Sequence, residues 1–333
     1  MARSSSTSSS DRRSPALAFR WLALACLLAL LGFELAVRVL YSPPAPMRDK
    51  AIEYAASPHG GGPELVILGT CLPEAIIQPE ILGDRLGGNT RIYNLATPAG
   101  TARLWVLFLR HHVPAEAQIE ALLIPFGAMD LTKLMAPWES QAMELATWGD
   151  VPDMVDWACD DLACAAELTL RKGYRTYRHR GYFANWFWGA MGTRAPIPGS
   201  MLSPGEVDPS DRMVDGRPQL AWDAGPKPVE PTDPTRFVYL EELLALSAEM
   251  GIPAFFTPLP TRAKVSGHGG MDNPEYRRVL IETIEGGGGR YLDLASIPGL
   301  APSHFEDDVH LTNEGRALVT VALGDAMARE LGR

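Results

Sequence analysis

Excess positive charge, a cysteine framework and any cofactor-binding motif are what this sequence lacks. Its 30 Lys and Arg against 40 Asp and Glu leave a formal net charge of −10, which removes the electrostatic basis for nucleic-acid binding. Four cysteines (Cys26, Cys71, Cys159, Cys164) in 333 residues are too few for disulfides to carry the fold. No cluster with metal-ligand spacing and no glycine-rich phosphate loop is present, so no cofactor is implied. What remains is a globular composition, 46% hydrophobic and 21% charged, long enough for one large α/β domain with attachments.

Charge is also absent locally. From Trp21 to Phe33 no residue is ionisable except Cys26, and apolar character extends from Ala16 to Tyr41, interrupted by Arg20, Glu34 and Arg38. With its flanks the segment is long enough to span a bilayer core of about 30 Å. Pro15 suits the first turn of a helix, and Glu34 and Arg38 stand at i, i+4, where they pair or snorkel near the far interface. A cleaved signal peptide is the rival reading, but no small-x-small cleavage pattern follows the apolar core. The preceding residues 1–14 are Ser-rich, carry Arg3, Arg12 and Arg13 and read as a disordered tail; those arginines favour a cytoplasmic N-terminus. The expectation is an uncleaved anchor over 15–41, a tether over 42–63 rich in Pro and Gly, and a domain over 64–333 outside the cytoplasm, periplasmic or extracellular. Five arginines against two acids give 1–41 a charge of +3, leaving −13 for the remainder; that domain is not drawn to an anionic surface and depends on its helix.

Leu65–Leu68 is a short run without a polar break, stopped by Gly69 and followed by Thr70 and Cys71. Such runs fit parallel strands buried on both faces. In open α/β sheets the ligand sits beyond the carboxyl ends of the strands, which puts Cys71 where a nucleophile stands; a small buried core cysteine is the bland alternative. Further strands are expected at 91–95, 121–126, 252–257 and 291–294, separated by helices that begin near Pro79, after Gly100, at Phe237, near Pro274 and at Asn313. Five parallel strands with intervening helices predict a three-layer α/β/α sandwich of flavodoxin-like type.

Between the third and fourth strands the alternation breaks, and 131–235 reads as an inserted lid. Six of the eight tryptophans (Trp138, Trp148, Trp157, Trp186, Trp188, Trp222) lie there, with a Pro- and Gly-rich loop at 196–234. From Lys133 to Arg171 there are eight carboxylates and no Lys or Arg between them; then Arg171, Lys172, Arg175, Arg178 and Arg180 crowd together with Tyr174 and Tyr177. Either they grip an anionic polymer or they neutralise the acidic stretch beside them. Cys159 and Cys164 close a disulfide only if the helix breaks between them, because five residues apart on a straight helix they face different ways.

Four blocks fall at expected strand ends: Gly69-Thr70-Cys71, Asn94 to Gly100, Gly127-Ala128-Met129-Asp130, and Asp307-x-x-His310. Together they resemble the SGNH (GDSL-type) hydrolase family over about 64–130 and 236–331, the insert lying outside. The α/β-hydrolase lipases are a different case: His59-Gly60-Gly61-Gly62 matches their oxyanion loop, but the G-x-S-x-G elbow it requires is missing. The single anchor and the ending FEDDVHLTNEGR look like the membrane-anchored branch, with relatives among D-alanine transfer proteins of teichoic acids and polysaccharide O-acetylation proteins. The resemblance implies a nucleophile at Cys71, a base at His310 oriented by Asp307, and an oxyanion hole from Cys71, Gly100 and position 129, with Thr70, Thr97 and Asp130 as accessory candidates. Two positions depart: Cys71 replaces the family's serine and Met129 its asparagine. A thiolate is a strong nucleophile once a neighbouring imidazolium lowers its pKa. Met129 has no N–H to donate, and loss of one such donor typically costs about 10²–10³ in kcat. The resemblance therefore implies an acyl-ester hydrolase or O-acyltransferase acting on envelope polysaccharide or lipid. The competing expectation is a catalytically silent scaffold that partners a membrane acyltransferase.

Overall fold

The computed structural model describes residues 15–40, 45–98, 100–127, 131, 139–159, 161–180, 213–214, 217–218, 237–262, 274–294, 297–307 and 309–333. The expected tail at 1–14, the residues Met129 and Asp130, Trp138, Trp186, Trp188 and Trp222, and nearly all of the loop at 196–234 lie outside them.

The chain begins with α1 (Pro15–Leu40) and α2 (Pro46–Ala56). β1 (Glu64–Ile67), β2 (Arg91–Asn94), β3 (Ile119–Phe126), β6 (Ala254–Pro258) and β7 (Arg290–Tyr291) form one parallel sheet in the order β2-β1-β3-β6-β7. Leu65 pairs with Ile92 on one side and Ala121 on the other, and Leu122 pairs with Ala254. Ile92 is half-buried; the other side chains are buried because both faces are covered. On one face Val66, Leu68, Leu122, Ile124 and Phe256 share a core with α2, α5 (Ala102–His111), α10 (Val238–Glu249) and α11 (Pro274–Gly286). On the other, Leu65, Ile67, Leu123 and Phe255 pack on α4 (Pro79–Arg85) and α12 (Asn313–Glu330). The result is the expected α/β/α sandwich with five parallel strands.

Three elements differ from expectation. The stretch expected as a tether carries α2, whose Met47, Ala51 and Tyr54 are buried in the core: they recur at i, i+4 and i+7, one helical face. β7 is only two residues long, although Leu292 continues the backbone pairing by donating its N–H to Phe256 O at 2.8 Å. The described part of the insert, α6 (Glu139–Leu145), α7 (Val151–Ala158), α8 (Leu162–Gly173) and α9 (Arg175–Arg178), thickens the α2/α5 layer. β4 (Met213–Val214) and β5 (Arg217–Pro218) form an antiparallel pair inside the expected loop.

The helix does break between the cysteines. α7 ends at Ala158, Asp161 caps α8 by accepting from Cys164 N, and a Cys159–Cys164 disulfide closes the gap. Arg171 and Arg180 both bond Glu167, and Arg178 bonds Glu144; to that extent the basic run neutralises acids of the insert. The outward apolar side chains of α1, such as Trp21, Leu22, Leu28 and Leu30, are exposed, and Phe19–Leu40 is long and apolar enough to cross a membrane.

Candidate active site

The sheet order reverses at β1, so β2 lies to one side and β3 to the other. In such sheets the crevice beyond the carboxyl ends of the two strands at the reversal is the ligand position. The chain leaves β1 through Gly69 and Thr70, and Cys71, exposed, opens α3 (Cys71–Ile76). Gly69 and Gly100 make this corner possible. A Cβ on Gly69 would lie 2.5 Å from Pro73 Cγ, and one on Gly100 would lie 2.0 Å from Gly69 O. Neither position has room for a side chain.

The loop after β2 is fixed by backbone and by charge. Thr97 N donates to Gly69 O at 3.1 Å, and Gly100 N donates to Thr97 O at 2.9 Å. Lys50, on α2, reaches Ala96 O at 2.5 Å and Glu74 of α3 at 2.8 Å, while Asn94 Oδ1 accepts from Ala96 N. Lys50 was not singled out by sequence reading, since its role depends on α2 being folded against the sheet. Thr97 is fully buried and its hydroxyl has no partner among the described residues. The donor expected from Gly100 is thus spent within its own turn.

The second half of the site is the turn before α12. Asp307 Oδ2 and His310 Nδ1 are 2.7 Å apart, and Asp307 Oδ1 accepts the backbone N–H groups of Val309 (2.8 Å) and His310 (2.7 Å). Burial alone would raise the Asp307 pKa; the N–H groups of His310 and Val309 and the imidazole outweigh it and hold the carboxyl below its usual value. The turn is closed by Glu306 N donating to His310 O at 2.8 Å and by a bridge between Phe305 and Leu311. Thr312 then caps α12 by accepting from Gly315 N. His310 presents its edge to solvent, with 44% of its side chain exposed.

One apolar cluster ties the halves together. Phe305 and Leu311, which flank the Asp307–His310 turn, are buried with Ile76 of α3, and Leu72, next to Cys71, packs against them. The structure therefore joins Asp307 to His310 directly and brings their turn onto the helix that Cys71 starts. Thr70 is the residue before that helix, with an extended backbone and no side-chain cap bond. Position 129, expected to complete an oxyanion hole, lies outside the described residues, as does Asp130.

At the opposite end of β1 stands a cluster that sequence reading missed. Glu64 is fully buried and bonds Tyr54 Oη (3.0 Å), His59 Nδ1 (3.1 Å) and Arg91 Nη2 (2.8 Å). Burial, followed by the Glu64 charge, pushes the Tyr54 phenol up. His59-Gly60-Gly61-Gly62 thus serves as a structural turn around a buried carboxylate.

No protein-family model matches the sequence, and a comparison with curated proteins returns no match. Among solved structures, the chain is similar to the crystal structure of the lipase/acylhydrolase from Enterococcus faecalis, at 14% identity over 80% of this chain and 94% of that one, with a TM-score of 0.37. A likeness at that level adds nothing to what the geometry supports.

Proposed function

We propose that this chain is a membrane-anchored, extracytoplasmic acyl-ester enzyme in which Cys71 is the nucleophile, His310 the base and Asp307 the residue that orients it. The observation that carries the reading is the Asp307–His310 pair at 2.7 Å, set at the end of the sheet where Cys71 follows β1. A carboxylate on Nδ1 fixes that nitrogen as the protonated one and leaves Nε2 as the base. In the first step Nε2 takes the Cys71 proton, the thiolate adds to an ester carbonyl, and the imidazolium gives its proton to the departing alcohol. A thioester remains on Cys71. Water or a sugar hydroxyl then attacks it while Nε2 takes the incoming proton, and the thiolate leaves. Envelope glycan or lipid as the acyl carrier follows from the sequence resemblance. An exported domain is supported by α1 and by the Cys159–Cys164 disulfide, a bond typical of oxidising compartments.

A second reading rests on one observation. Gly100 N already bonds Thr97 O, and Met129 has no side-chain N–H, so the oxyanion hole of the family pattern is short of donors. That favours a silent module that binds an acyl carrier or a membrane acyltransferase without turnover.

Alkylation of Cys71 in a Cys26→Ser background separates the two, since the remaining cysteines are joined in a disulfide. In the enzyme the thiolate persists well below the ordinary thiol pKa of about 8.5. Labelling is then fast at about pH 6–7 and drops at least tenfold in His310→Ala. Slow labelling that ignores His310 in a folded sample ends the nucleophile assignment.

A further inference from the structure

At the outer end of α1 the insert forms a cleft of about 470 Å³ that faces the helix. Arg38, Lys172, Arg175 and Arg178 line it, with Glu144 and Trp148. Among the described residues that line it, four are cations and one is a carboxylate, and that carboxylate is already shared. Glu144 takes Arg178 at 2.6 Å, His179 at 3.3 Å, Arg175 at 3.8 Å and Arg48 at 3.2 Å. Lys172 Nζ rests on the carbonyl oxygens of Met143 and Ala146. Arg175 gives Nη1 to Arg38 O, and its Nε is buried with no partner among the described residues. Burial and the Arg178 charge push the Lys172 ammonium down, as expected where cations crowd without enough counter-charge.

The cleft is held at a fixed depth. Glu34 of α1 accepts the backbone N–H groups of Arg175 (2.7 Å) and Thr176 (2.9 Å), and Arg38 bonds Glu34 and Gly173 O. The residues of α1 that precede Glu34, 15–33, rise about 28 Å at ~1.5 Å per residue, close to the bilayer core of about 30 Å. Glu34, and with it the N-terminus of α9, is therefore at headgroup level. Of the residues lining the cleft Trp148 is exposed, and so are Leu170 and Tyr174, which neighbour its lining residues in the chain. An indole and apolar residues beside cations are the composition of a surface that meets the lipid boundary.

We propose that this cleft binds the phosphate headgroup of an anionic phospholipid in the leaflet that the outer end of α1 reaches. The site rests on α1 crossing a bilayer and is independent of the chemistry at Cys71. A diester phosphate is held by the charges of Arg175, Lys172 and Arg178, which line the cleft, and its acyl chains lie along α1 and α8.

The test uses the full chain purified in a neutral detergent. Phosphatidylglycerol added to the micelles raises the melting temperature by about 2–5 °C with saturation, while phosphatidylcholine and inorganic phosphate at equal concentration do not. Arg175→Gln weakens the apparent affinity about fivefold or more; Arg175→Lys keeps part of it; Arg278→Gln, on α11 and paired with Glu275 and Glu282, leaves it unchanged. Native mass spectrometry counts retained lipid on each protein, so a variant with a lowered melting point still reports. No phosphatidylglycerol-specific shift overturns the proposal. An equal shift from inorganic phosphate overturns the lipid assignment, and an undiminished shift with undiminished lipid retention in Arg175→Gln shows lipid around α1 instead.

Discussion

Asp307 spends three hydrogen bonds on one turn, two from backbone N–H groups and one shared with the imidazole of His310. The carboxylate therefore holds both the shape of the turn and the orientation of the ring. Asp307→Asn keeps an oxygen for the backbone donors but replaces the charge beside Nδ1. We expect it to slow Cys71 alkylation at pH 7 less than His310→Ala does, because the base is still present. An equal or larger loss would place Asp307 among the structural requirements of the turn. At position 129, proposed for the oxyanion hole, the expected direction is opposite. Met129→Asn supplies a side-chain N–H that methionine does not have, and in an active enzyme ester turnover stays level or rises. A fall of about tenfold or more with unchanged melting temperature would mean that Met129 fits the substrate.

Among elements, β1 is the one whose two ends do different work. Its carboxyl end leads to Cys71; its amino end buries Glu64 among Tyr54, His59 and Arg91. Glu64→Gln keeps the shape and leaves Arg91 short of its charge partner. Breaking a buried pair from one side costs about 3 kcal/mol or more, readable as a lower urea midpoint; a loss under about 1 kcal/mol would show that Arg91 finds water instead. α6 carries the insert's counterpart. At Glu144, burial alone would raise the pKa, but His179, Arg178 and Arg175 lower it to about 2. A depressed carboxyl gives its full stabilisation above the ordinary value near 4.5 and loses it as pH falls through about 2. The melting temperature should drop across that window, and Glu144→Gln should remove part of the drop while lowering stability at pH 7. The strands were legible because their apolar runs are unbroken and short. α2 was not, since its three buried residues sit among prolines and charges that read as linker. The Glu64 cluster was not, because its members span 54 to 91 and meet only once α2 and the sheet are folded. At the site, the residues were readable as types at strand ends, but the bond from Gly100 N to Thr97 O was not, because it depends on a turn that no residue pattern dictates.

On the scale of the whole molecule, two features decide how the domain sits in the cell. α1 is the helix uncovered by the rest of the described chain, and Glu34 and Arg38 fasten its last turns to α8 and α9. The anchor is therefore part of the domain's own hydrogen bonding, and the domain has little freedom to tumble at the end of a leash. The arginines at the start of the sequence favour an inside N-terminus, and in the proposed orientation the insert and its disulfide lie outside. Both consequences are measurable in one preparation. A reporter enzyme that works only after export, fused beyond Arg333, should be active, and the fusion should leave the membrane with detergent and not with salt or carbonate. In the same membranes Cys159 and Cys164 should take up alkylating agent only after reduction, while Cys71 reacts without it. A soluble product beginning near Ser42 would show that α1 is removed as a signal. An inactive reporter together with reduced Cys159 and Cys164 would put the domain in the cytoplasm, where Glu34 and Arg38 would dock the same helices from the other side and the envelope substrate would be out of reach.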